Sequence, residues 1–132
     1  MATIEEHEKI AKELIEDTEE KIRLGIVERR QKIIGFSVSE ASTNLFASFL
    51  HRNGLISPGF NINHRFFVSE KRAEIAFPFD FKEKQEIFKL LVKIEQLRTK
   101  LCYGRDKESR EVTDAISSLF KLKNLLEGKE ND

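Results

Sequence analysis

Tryptophan is absent from this sequence, cysteine and methionine occur once each, and proline twice in 132 residues. With Cys102 alone, no intrachain disulfide can form and no cysteine cluster can hold a metal. That usage suits a reducing compartment. No run approaches the roughly 18 apolar residues needed to span a bilayer, and Met1 to Glu20 carries no stretch of signal-peptide type. A cytoplasmic protein with no membrane partner is the expectation. An excess of one charge is missing as well: 23 basic side chains face 23 acidic ones. This removes the global pull of a dedicated nucleic-acid binder and leaves only local patches to do such work. There is no phosphate-cradling glycine loop, no Gly-x-Ser-x-Gly elbow and no pair of histidines at metal spacing.

What is present is phenylalanine, 11 of them, in a chain that is 39% hydrophobic and 35% charged. The length suits a single domain over residues 1–132, with a core of Phe, Leu and Ile. From Thr3 to Leu24, Ile4, Ile10, Ala11, Leu14, Ile15 and Ile22 recur at helical spacing among glutamates. Thr3 suits a cap, and Gly25 interrupts the pattern. The amphipathic helix read over 1–24 therefore needs a partner surface. A second helix is predicted from Ile26 to Arg52, its apolar set Ile33, Ile34, Val38, Leu45, Phe46, Phe49 and Leu50 placed at the centre of the core. Asn53-Gly54 ends it, and Ile56 to Asn63 reads as a loop. Residues 65–81 fit either a hairpin or a short helix from Glu70 to Phe77, capped by Ser69 and stopped by Pro78. Asp80 reads as the cap of a helix through Lys100. The last helix spans Glu108 to Leu126, before a charged tail over 128–132. The expected fold is all-α, about five helices around one core.

Single residues offer little chemistry. His7, His51 and His64 are scattered and read as surface or boundary residues. Cys102 lies near Arg98, Lys100 and Arg105, which would lower its pKa, but no base is placed beside it. Arg29, Arg30 and Lys32 form one basic cluster, and Arg98, Lys100, Arg105, Lys107 and Arg110 another around the turn at 103–106. Both suit phosphate contacts, although acidic residues are interleaved with them.

The stretch Arg30-Gln31-Lys32-Ile33-Ile34-Gly35-Phe36-Ser37-Val38-Ser39-Glu40 resembles the signature helix of the ribonuclease III family. That family's pattern is Arg-Leu-Glu-Phe-Leu-Gly-Asp-Ala-Val-Leu-Glu, matched at Arg30, Ile33, Ile34, Gly35, Val38 and Glu40. Val68 to Ala76 is similar to a second family helix, which favours helix over hairpin there. Val112-Thr113-Asp114-Ala115-Ile116-Ser117 is a weaker third match. The resemblance implies the all-α endonuclease fold, a homodimer paired through the motif helix, and double-stranded or otherwise structured RNA as partner. It also implies four metal-binding carboxylates, two from each motif. Carried over, these fall at Lys32, Phe36, Asp114 and Ser117, so only Asp114 keeps a carboxylate.

Three readings follow. The first is a non-catalytic or weakly active member without cofactor that binds structured RNA or a protein partner as a dimer. Arg29, Arg30, Lys32, Arg105 and Arg110 would contact RNA, and Phe36, Phe46 and Phe49 would form the dimer surface. The second is an endoribonuclease with a relocated site at Glu40, Glu111 and Asp114, with Asp114 and Glu40 holding Mg²⁺ or Mn²⁺. Glu40 lies one turn beyond Phe36, and Glu111 one turn before Asp114. The third is a helical protein-interaction module with no nucleic acid involved.

Overall fold

The structure is a computed structural model describing residues 3–128. It is all-helical, with no strand among the described residues. The first helix, α1, spans Ile4–Leu24; the Thr3 hydroxyl accepts from the Glu6 amide at its start and Gly25 closes it at φ 67°. A 3-10 turn, Val27–Arg30, leads into α2, Gln31–Arg52. The helix expected to begin at Ile26 therefore opens as this tighter turn. After a long connection containing a second 3-10 turn, His64–Phe67, come α3, Glu70–Ala76, then α4, Lys84–Cys102, and α5, Ser109–Leu126. The Ser69 hydroxyl accepts from the Arg72 amide, the cap that residue type supplies. Residues 65–81 are thus helix-bearing rather than a hairpin. Asp80 does not cap α4: its carboxylate accepts from the next amide, Phe81. The helix starts later, after Glu83 in the left-handed region at φ 62°.

α2 is the axis of the domain, packed by α1, α4 and α5. It manages this with small side chains. Ser37, Ser39, Ala41, Ser42, Ala47 and Ser48 are all buried and let neighbouring backbones approach. Buried hydroxyls need partners; Ser42 donates to the Val38 carbonyl at 2.7 Å, and Ser48 to Glu8 on α1 at 3.1 Å. Gly35 marks the tightest approach. A Cβ there would lie 2.9 Å from Leu101 Cβ and 3.2 Å from Cys102 Sγ on α4, so the glycine is what lets the helices meet.

The core is built on Phe, Leu and Ile, as the composition implied. Phe46, expected on a dimer surface, is instead fully buried among Phe67, Phe77, Phe81 and Phe88. Its position on α2 faces the connection, which folds back over it. Phe49 is half-buried against Phe81, with ring centroids 5.5 Å apart. Ile33, read as core, is 47% exposed. Ile10 and Ile22 of α1 are exposed too, because α2 covers only one face of that helix.

Candidate functional site

Two stretches of chain more than 70 residues apart meet where α2 begins. The Gln31 side chain donates to the Lys107 carbonyl at 2.8 Å and accepts from the Lys107 amide at 2.7 Å. One residue on, the Lys32 ammonium donates to the Gly104 carbonyl at 3.0 Å. These bonds staple the α4–α5 turn to the start of α2. They bring the two basic clusters together, with Arg29, Arg30, Lys32, Arg105 and Arg110 all exposed. Glu28, Asp106 and Glu108 are exposed among them. Lys107 folds back on its own turn, its ammonium bonded to the Tyr103 and Arg105 carbonyls. Two aromatic residues on the same segments are exposed: Phe36, four residues after Lys32 on α2, at 52%, and Tyr103, two before Arg105 in the turn, at 64%.

From this corner a polar seam runs between α2 and α4. Glu40 and His64, half-buried, meet at 2.7 Å through the imidazole Nε2. The other ring nitrogen, Nδ1, contacts Glu95 at 3.1 Å and the Ser39 hydroxyl at 3.3 Å. Glu95 is held in turn by Arg98, whose Nε and Nη2 donate to one carboxylate oxygen at 3.1 and 2.7 Å. Hydrogen bonds to Glu40 and Glu95 raise the His64 pKa from 6.5 to about 9. Glu40 is lowered, chiefly by its bond to His64. Glu95 is lowered too; burial opposes this, and the bonds to His64 and Arg98 overcome it. The imidazolium therefore carries its proton at neutral pH, and both ring N–H groups are engaged by carboxylates. Such a group is a fixed cation, offering no lone pair to a substrate.

The carboxylates read as a relocated metal site go to different partners. Glu40 takes His64. Glu111 faces Lys100 at 3.6 Å, and its Oε2 is buried with no hydrogen-bond partner among the described residues. Asp114 lies half-buried one turn further along α5. No three His, Cys, Asp or Glu side chains among the described residues are grouped so as to hold a metal ion. Cys102 departs from its expected electrostatics. Burial pushes its thiol pKa up, more than Arg98 and Lys32 draw it down.

The histidine bridge was not legible in the sequence. His64 is 24 residues from Glu40 and 31 from Glu95, and no spacing rule links a loop residue to two helices. Glu95 and Arg98 did carry a signal, since their i,i+3 spacing allows an ion pair. His7 and His51, likewise scattered in sequence, stack with centroids 5.7 Å apart; burial, then His7, lowers the His51 pKa. No helix among the described residues is long and apolar enough to cross a membrane. No protein-family model, no curated protein and no solved structure matches the chain.

Proposed function

We propose that this chain is a helical binding domain that takes structured RNA at the corner made by the start of α2 and the α4–α5 turn, without cutting it. What supports the reading is the staple of Gln31 to Lys107 and Lys32 to Gly104. It holds the turn that carries exposed Tyr103 and Arg105 against the start of α2, where Arg29, Arg30 and Phe36 are exposed, with Arg110 exposed in the first turn of α5. Unpaired bases in loops and bulges stack on aromatic side chains while neighbouring cations meet their phosphates. With charges balanced over the whole chain, the attraction is local and therefore salt-sensitive.

The chain supplies its own probe, because it has one tyrosine and no tryptophan. Titration with an RNA hairpin should quench Tyr103 emission saturably, with affinity that falls as salt rises and falls further in Arg105→Glu. A flat titration at low salt overturns the reading. Repeating the incubation in Mg²⁺ and Mn²⁺ tests the rival one: cleavage that disappears in Asp114→Asn would make the chain a nuclease. One observation favours a second use of the same helix stretch. Ile33 and Phe36, three residues apart on α2, are 47% and 52% exposed, an apolar pair that a second copy of the chain would cover. Sedimentation of wild type beside Phe36→Asp tests that homodimer directly.

A further inference from the structure

The polar seam leads into the proposed RNA corner through one carboxylate. Both oxygens of Glu95 are occupied, Oε2 by His64 and Oε1 by Arg98. A carboxylate gripped by cations at both oxygens has one orientation, and it passes that orientation to the guanidinium it holds. Glu95 takes two of the five N–H donors of Arg98. The Arg98 side chain stays a quarter exposed, five residues before Tyr103 at the end of α4, and Tyr103 adds to the rise in the Arg98 pKa that Glu95 chiefly causes. His64 is anchored from behind by Glu40 and Ser39, both on α2. The line Glu40–His64–Glu95–Arg98 thus runs from the middle of α2 to the last turns of α4, which end at exposed Tyr103.

We infer that His64 is a positioning residue for RNA binding, fixing Glu95 so that Arg98 is held beside Tyr103 and presents its outward N–H groups to the phosphate of a base stacked on that ring. The inference rests on the RNA reading above and adds Arg98 to the contacting residues and His64 to those that set them. Neither charge bridge needs to touch RNA itself. A guanidinium locked in one plane loses less freedom on meeting a phosphate than one that must be ordered.

The test uses the full chain, a labelled RNA hairpin and three variants: His64→Gln, Arg98→Gln and the double. The side-chain Nε–H resonance of Arg98, assigned by its loss in Arg98→Gln, is followed in the RNA-free proteins. Each single variant is expected to weaken RNA binding roughly tenfold, the double variant no further than the weaker single. The Arg98 resonance should broaden or vanish in His64→Gln. Unchanged affinity and resonance in His64→Gln overturns the inference, as do losses that multiply in the double variant. If wild type does not bind RNA, the RNA reading is what fails. The resonance then decides the positioning alone: its loss in His64→Gln upholds the linkage, and its persistence overturns it. Where His64→Gln does not fold, Glu40→Gln removes the anchor behind the imidazole and carries the same comparison.

Discussion

The two halves of α2 treat the same side chain in opposite ways. Toward its C-terminal end Phe46 is fully buried, its ring within 5.2 to 6.4 Å of four others. Toward its N-terminal end Phe36 stands half in solvent beside exposed Ile33. The difference lies in what each half meets. The long connection between α2 and α4 folds back over the C-terminal half and brings Phe60, Phe66, Phe67, Phe77, Phe79 and Phe81 against the core. The N-terminal half meets α4 so closely at Gly35 that no side chain fits between them. Polar staples hold the α4–α5 turn there instead of an apolar roof. Rings at one end of the helix make the fold; the ring at the other contributes little to it and is free to act on something else.

The largest test of that contrast is Phe77→Ala. Phe77 is fully buried and has six rings around it, those of Phe46, Phe60, Phe66, Phe67, Phe79 and Phe88. Removing a buried ring costs its transfer energy plus the cavity left behind, about 3–5 kcal/mol. Urea unfolding should show that loss as a lower midpoint with little change in slope. A loss below about 1 kcal/mol would mean that the connection is not the roof of the core.

Gly35→Ala comes next and probes the other half. The added methyl would sit 2.9 Å from Leu101 Cβ, an overpacking penalty of about 1–3 kcal/mol. Alanine gains about 1 kcal/mol in helix propensity over glycine, so the net loss should be about 0–2 kcal/mol by the same urea experiment. A more stable variant would break the claim that close approach excludes a covering side chain at this end.

How far these halves were legible in the sequence depends on the distance over which each is specified. The helices carry local signals: Thr3, Ser69 and Gly25 act as cap and stop as their chemistry requires. Phe46 and Phe36 sit in equally helical stretches, and nothing local says that residues 64–81 will return to cover one of them. Ile33 passed for core because it adjoins Ile34, yet adjacent residues on a helix point about 100° apart, and only Ile34 turns inward. Of the candidate site, the basic residues were visible but their meeting was not, since Gln31 binds a backbone 76 residues away. The spacing of Glu40 fits a metal ligand, whereas the structure pairs it with His64.

The seam between the halves has a pH signature of smaller size. His64 titrates near its ordinary 6.5 when unfolded and at about 9 when folded. Its contribution is therefore complete below 6.5 and is lost as pH rises through about 9. Glu40, Glu95 and Arg98 are the charged groups around it. Partial exposure of these side chains screens the pairs, so the expected loss is about 1 kcal/mol. Half-buried Cys102, raised above its ordinary 9.0, acts in the same direction but only at higher pH. The decline between 6.5 and 9 should accordingly vanish in His64→Gln and persist in Cys102→Ser. A decline that survives His64→Gln would place its source elsewhere in the molecule.

The smallest expected effect on stability is the most informative. Phe36→Ala removes a ring that is 52% exposed and has no roof to lose, so unfolding should shift by no more than about 0.5 kcal/mol. A loss of several kcal/mol would equate Phe36 with Phe46 and erase the contrast between the halves. If stability holds, the same variant can be titrated with an RNA hairpin and sedimented. Losing a base-stacking ring costs about 1–3 kcal/mol of binding, a drop that an intact fold cannot explain. An unchanged RNA affinity with a lost dimer would assign the ring to a second copy of the chain. An exposed phenylalanine that alters neither stability, RNA binding nor self-association would leave only Tyr103 as the aromatic element of the corner.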